Sequence, residues 1–154
     1  MNIKSVTRKD FILLLFLIIV FLLSRLINIS SLPIFTGEAI YMRWAQIALG
    51  DSSWRFISLI DGKQPMLIWL TMPILKLTGM PLLSGRLVSV FAGMLGTIGA
   101  FFLGWELFKN KTTGYITALL YLISPFFLWH DRIALYDSLL SGFYVWALFL
   151  EVIW

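Results

Sequence analysis

The chain of 154 residues contains no cysteine, a single histidine, and few charges, with 13% of its residues Asp, Glu, Lys or Arg. The lack of cysteine excludes disulfides and thiolate metal sites and leaves the redox compartment undetermined. The one histidine, His130, has only Asp131 beside it; two adjacent side chains point in different directions, so no residue is assigned to a metal. The shortage of charge, set against 60% hydrophobic residues and a mean hydropathy of +0.90, leaves too little polar surface for a water-soluble domain. An excess of one charge sign is also missing. The net charge is +4, and Lys4, Arg8, Lys9, Lys109 and Lys111 stand in short flanks of apolar segments, a pattern explained by membrane topology rather than by nucleic acid.

What is present is a set of long apolar runs. Residues 11–29, FILLLFLIIVFLLSRLINI, have about the length that crosses a hydrocarbon core, with Arg25 near the far end, placed to snorkel. No small-x-small cleavage site follows, so an uncleaved anchor is expected, and its basic flank places the N-terminus in the cytoplasm. Further spans are expected at about 86–108, 112–129 and 138–154. The mixed stretch 30–84 is expected to be an outer loop. Within it Thr36 can cap an interfacial helix over about 37–49, ended by Gly50; Asp51 or Ser52 can cap a second short piece, and Asp61-Gly62 reads as a turn.

Residues 65–79 are apolar, but they are short for a span and contain Pro73 and Lys76. If they crossed the membrane, the hairpin Lys109-Asn110-Lys111 would face outward against the positive-inside rule, so they are read as interfacial or re-entrant. This choice puts Asp131, Arg132 and Asp137 on the outer side with Glu38. The fold class expected is therefore all-α, a polytopic transmembrane bundle with interfacial helices in the first extracytoplasmic loop. Small residues at Ala92, Gly96, Ala100 and Gly104 recur every fourth position and suit close helix packing.

Two acids at the edges of apolar segments stand out. Glu38 lies in the first turn of its helix, where the dipole favours a carboxylate, and Asp137 opens an apolar helix, where an unpaired acid is costly. Each also has a plain reading, helix-start preference for Glu38 and an N-terminal cap for Asp137. Arg43, Lys63, Arg86 and Arg132 gather on the same predicted face, although each suits a headgroup anchor. An acidic base beside fixed cations at a membrane surface suits displacement of a lipid phosphate by a hydroxyl: the carboxylate takes the proton and the cations stabilise the leaving anion.

The ordered words PIFTGEAIYMRWA, DGKQPMLIWL, GRLVSVFAG and DRIALYDSLLSGF resemble the beginning of the lipid-phosphate-sugar-dependent glycosyltransferases of the C superfamily, in particular the protein O-mannosyltransferase and aminoarabinose-transferase group. The resemblance implies an inverting transfer of a sugar from a polyprenyl-phosphate donor to a hydroxyl or amine of a protein, lipid or glycan acceptor. That family carries an Asp-Glu pair in its first outer loop and a further acid in the next; Glu38 matches the Glu of the pair, Asp137 matches the further acid, and Gly37 stands where the pair has its Asp. Lys63 resembles a lysine that approaches the donor phosphate, and Arg86 an arginine that follows that segment. The site residues expected are thus Glu38 and Asp137 for catalysis, with Lys63, Arg86 and Arg132 for the phosphate. The resemblance is compatible with a divalent metal, which no residue here demands. The expected location is the plasma membrane, among membrane lipids, with the site extracytoplasmic. The end at Trp154, without a polar flank, suggests the N-terminal part of a longer chain. The rival from another class is a noncatalytic protein, either a degenerate transferase that binds lipid-linked sugar or an assembly subunit, and Gly37 favours it. A small transporter fits less well, because the charges gather at one surface rather than at mid-bilayer.

Overall fold

The computed structural model describes residues 7–154; Lys4 of the N-terminal flank lies outside them. Among the described residues the fold is all-α. Its helices are α1 (Arg8–Leu26), α2 (Thr36–Gly50), α3 (Met66–Thr78), α4 (Pro81–Phe108), α5 (Lys111–Ile123), α6 (Pro125–His130) and α7 (Asp137–Ile153), with short 3-10 turns between α1 and α2 and between α2 and α3.

Two stretches, Arg8–Ser31 and Pro81–Phe108, are long and apolar enough to cross a membrane. The expected continuous span 112–129 is broken: α5 ends at Ile123, and Ser124 turns extended (φ −58°, ψ 123°). Pro125 is the reason, since its ring disfavours helical geometry in the preceding residue and it has no N–H to continue the ladder. After this break α6 begins, and Phe127 stacks on Tyr121 with ring centres 3.8 Å apart. With 13 residues, α5 alone rises about 20 Å, and the 17 residues of α7 about 26 Å.

The central element is α4, which packs against α1, α2, α3, α5 and α7. Its small residues permit this. Gly96 and Gly104 receive Tyr121 and Thr117 of α5, Gly99 receives Val145 and Trp146 of α7, and Gly142 of α7 rests on the Ala92 carbonyl. The stripe Ala92, Gly96, Ala100, Gly104 is thus a packing surface, in which added methyls would meet occupied space.

Side-chain contacts define the two ends of this bundle. At one, Asp10 near the start of α1 pairs with Lys111 (2.6 Å) and accepts from the Tyr115 hydroxyl (3.1 Å), which joins the N-terminal flank to the α4–α5 hairpin. At the other lie the end of α1, α2, the start of α4 and the 131–137 turn, joined through Arg25, Arg86 and Glu38. Helix α3 lies at this second end. It begins after a turn at Gly62 (φ +67°), the left-handed geometry expected of Asp61-Gly62, and finishes where the Thr78 and Ser84 hydroxyls meet at 2.7 Å. Leu75 and Ile68 of α3 share a small core with Ala45 and Ala48 of α2.

Three local expectations change. Arg25 does not snorkel: it is fully buried, donates to the Leu122 carbonyl (2.9 Å), stands over the Phe21 ring and faces Asp131 at 3.6 Å. Thr36 is the first residue of α2 rather than its cap, and the Glu38 carboxylate accepts from the Phe35 N–H instead. Asp137 likewise opens α7, with Tyr136 at the cap position.

Candidate functional site

Under the N-terminus of α2 lies a cavity of about 610 Å³. Gly37 and Tyr41 of α2 form one wall, Lys63, Gln64 and Met66 a second, and Tyr136, Asp137, Leu140 and Phe143 of the turn and α7 a third. Most of this lining is apolar. The ionisable groups are Lys63 and Asp137, and the phenols are Tyr41 and Tyr136, whose rings meet edge to face with centres 4.7 Å apart. The Asp137 and Lys63 side chains make no hydrogen bond or ion pair with any described residue, so both have their bonding capacity free in the cavity. The Tyr136 hydroxyl is buried near the Ser58 hydroxyl without a well-formed hydrogen bond, and burial, opposed by Ser58, pushes its pKa up to about 12. It is therefore a neutral donor at physiological pH.

Lys63 arrives there because Gly62 reverses the chain and the Lys63 N–H closes on the Ser58 carbonyl at 2.9 Å. Asp137 arrives there as the first residue of α7, where the helix dipole favours its negative charge. A Cβ on Gly37 would stand 3.1 Å from Leu135 Cδ2, so the bare backbone at this position leaves the wall open.

Glu38, expected as a catalytic acid, and Arg86, expected at the phosphate, are not among the residues that line this cavity. Both are fully buried. Arg86 donates through Nε to Glu38 Oε1 and through Nη2 to Oε2, each at 2.8 Å. The Glu38 oxygens also accept from the N–H groups of Ala134 (2.7 Å) and Phe35 (3.0 Å). The remaining Arg86 donors reach the carbonyls of Ile29 (2.5 Å), Leu32 (3.3 Å) and Pro33 (3.2 Å). Burial raises the Glu38 pKa, but the Arg86 bond and the two backbone bonds outweigh it and hold the carboxyl below its ordinary range. Four donors on two oxygens leave no lone pair directed at a substrate.

Arg132 also stands apart from the cavity. Its Nη2 donates to the Ile27 carbonyl at 2.7 Å. His130 stacks on Phe126 and is tied to that residue's carbonyl at 2.8 Å. Among the described residues no three His, Asp or Glu side chains come together as a metal would require. Of the expected residues, then, the fold joins Lys63 and Asp137 beside Gly37, buries Glu38 and Arg86 away from the lining, and ties Arg132 to the Ile27 carbonyl outside it.

The family model described as dolichyl-phosphate-mannose-protein mannosyltransferase matches residues 62–153, more than half of the chain. The chain belongs to this family. Within the mannosyltransferase-family match fall Lys63, Arg86, Arg132 and Asp137, while Gly37 and Glu38 precede it. No curated protein and no solved structure matches the chain. The family is membrane-associated, in agreement with the two helices long enough to cross and with the uncovered apolar surface of α1, where Phe11, Phe16 and Leu23 are all more than half exposed.

Sequence reasoning did not find Tyr41, Gln64 or Tyr136 as cavity residues. Tyr136 is adjacent to Asp137 in the chain, but its direction depends on a turn whose geometry comes from contacts with distant Arg25 and Glu38. The Arg25–Asp131 pair was missed for a similar reason, because its partners are far apart in sequence and only the tertiary packing brings them together.

Proposed function

We propose that this mannosyltransferase-family chain transfers a sugar from a polyprenyl-phosphate donor to an acceptor hydroxyl or amine, using the cavity beneath α2. The supporting observation is that an unpaired ammonium and an unpaired carboxylate share one mostly apolar cavity. An apolar slot with one cation suits a lipid chain that ends in phosphate, and a free carboxylate beside it suits proton removal from the acceptor. In this scheme Asp137 takes the acceptor proton and the acceptor oxygen or nitrogen attacks the anomeric carbon. The bond from that carbon to the phosphate oxygen breaks, with inversion, and the lipid phosphate leaves with its negative charge facing Lys63. Glu38 and Arg86 support the wall rather than touch the reactants.

The polytopic arrangement belongs to the same proposal. Helices α1 and α4 cross the membrane, α5–α6 and α7 line the bundle, and α2 and α3 lie at the interface. The basic end with Arg8, Lys9, Lys109 and Lys111 faces the cytoplasm by the positive-inside rule, so the cavity opens on the extracytoplasmic face of the plasma membrane.

A second reading is favoured by Gly37: where related transferases carry an Asp, this cavity wall has no side chain, as in a chain that binds lipid-linked sugar without transferring it. Transfer of labelled sugar from polyprenyl-phosphate mannose to peptide acceptors, measured with the chain in lipid, separates the two. The catalytic proposal expects Asp137→Asn to lower kcat by about 10²–10⁴-fold and Lys63→Ala to raise KM for the donor. Saturable donor binding with no turnover would establish the second reading.

A further inference from the structure

Asp137 is presented by a short turn, and each side of that turn is held by a buried carboxylate that does not face the cavity. On one side Glu38 Oε1 accepts from the Ala134 N–H at 2.7 Å, three residues before Asp137. On the other, the Ser138 hydroxyl, next in the chain, donates to Asp131 Oδ1 at 2.9 Å. Both acids are fully buried, and each is anchored by a buried arginine from another helix, Glu38 by Arg86 of α4 and Asp131 by Arg25 of α1. Bare backbone makes this possible: a Cβ on Gly85 would overlap Met42 and Ala134, and one on Gly93 would overlap the Asp131 carboxylate.

The two anchors differ in completeness. Glu38–Arg86 is a two-pronged pair with every oxygen filled. Arg25 and Asp131 stand 3.6 Å apart, with Arg25 Nε and Asp131 Oδ2 lacking hydrogen-bond partners. Buried ion pairs contribute little net stability compared with apolar packing of the same volume, so their recurrence on either side of one turn calls for a geometric explanation.

We infer that Glu38 and Asp131 are positioning residues that fix Asp137 in the cavity, Glu38 through the Ala134 backbone and Asp131 through the Ser138 hydroxyl. This rests on the assignment of Asp137 to the site; its geometric part is testable without turnover. A displacement of about 1 Å in a reacting group can cost about 10²-fold in rate, so the two buried acids control chemistry without contacting a substrate.

The cysteine-free chain supplies the test. Asp137→Cys and, separately, Lys63→Cys are labelled with a small maleimide, each with Glu38→Gln, Ser138→Ala or no second change. Lys63 shares the cavity but sits on a segment that neither anchor holds. Each second change is expected to alter the labelling rate at position 137 by about tenfold relative to that at position 63, the signature of local rather than global loosening. An unchanged ratio, whether both rates stay constant or rise together, overturns the inference and makes the acids general packing residues. In the transfer assay Ser138→Ala should lower kcat while KM for the donor stays constant. If Asp137→Asn leaves transfer intact, the assignment of the site falls while the labelling result still stands.

Discussion

Truncating Glu38 to alanine removes the acceptor for four hydrogen bonds at once. Arg86 loses its two 2.8 Å contacts and keeps only the carbonyls of Ile29, Leu32 and Pro33, while the N–H groups of Phe35 and Ala134 lose their acceptor. A buried charge deprived of its partner costs about 3–5 kcal/mol, and each unsatisfied buried N–H costs about 1–3 kcal/mol. These contributions overlap, because the retained carbonyls still solvate Arg86. A loss of about 4 kcal/mol is therefore expected, equivalent to roughly 10 °C in Tm for a chain of this size. Glu38→Gln, which keeps one acceptor oxygen, should cost about half as much. Unfolding in mixed detergent micelles, followed by tryptophan fluorescence, measures both. Replacing the pair together, Glu38→Leu with Arg86→Met, should cost less than the sum of the single changes by about 2 kcal/mol. Since the Glu38 pKa is lowered on folding, its contribution is full above the ordinary value of 4.5 and is lost as pH falls through the lowered value, so wild type and Glu38→Gln should converge in acid. An alanine variant within about 1 kcal/mol of wild type, or strict additivity in the double change, would refute the clamp as the support of this end of the bundle.

Asp131 should show the opposite pH dependence. Burial, opposed by Ser138 and Arg25, raises its pKa from 3.8 to about 6, so its contribution is full below 3.8 and declines as pH rises through 6; Asp131→Asn should remove that decline from Tm measured between pH 4 and 7. Gly37→Asp should place a second carboxylate in the cavity at the cost of a small shift of Leu135, and if the glycine is what limits transfer, turnover should rise by at least about tenfold; unchanged turnover with intact donor binding would support the noncatalytic reading. Gly93→Ala should destabilise by about 1–3 kcal/mol, because its methyl would overlap the Asp131 carboxylate, and a neutral effect on Tm would show that this contact yields freely. In intact cells an impermeant thiol reagent should label Lys63→Cys and Asp137→Cys but spare Asn110→Cys. The reverse pattern would put the cavity in the cytoplasm.

Composition and periodicity carried the helical class, the presence of the long apolar helices α1 and α4, the short apolar segment of α3 and the Asp61-Gly62 turn, because each depends on neighbours in the chain; α4 begins at Pro81, five residues before the expected start at 86. Tertiary partners decided the rest. The run 112–129 was read as one span from its apolar character alone, without weight given to Pro125, which breaks the helix after Ile123. Arg25 was read as a snorkelling residue because a charge near the end of a span normally seeks water; Asp131 and the Leu122 carbonyl provide a buried alternative that only packing reveals. Lys63 and Asp137, which line the cavity, were legible as candidates because each sits at a helix start or turn with no polar neighbour to occupy it. Glu38 and Arg86 looked equally available in one dimension. Their mutual capture across α2 and α4 is a property of the fold.

The three acids at this end of the bundle can be ranked by the donors each has acquired. Glu38 holds four hydrogen bonds; Asp131 holds one and faces an arginine; Asp137 holds none from the described residues. A carboxylate surrounded by donors has its lone pairs committed and its basicity reduced, which makes it a good strut and a poor base. One that opens a helix beside a cavity, without a partner, keeps its lone pairs for whatever enters. This ordering assigns the chemistry to Asp137 under the proposed reading and gives the other two acids a reason to be buried. It also explains why Gly37 matters more than its size suggests. With Glu38 committed to Arg86, no acid on α2 turns into the cavity in its place, and under the proposed reading the acceptor proton goes to Asp137, the acid that lines the cavity.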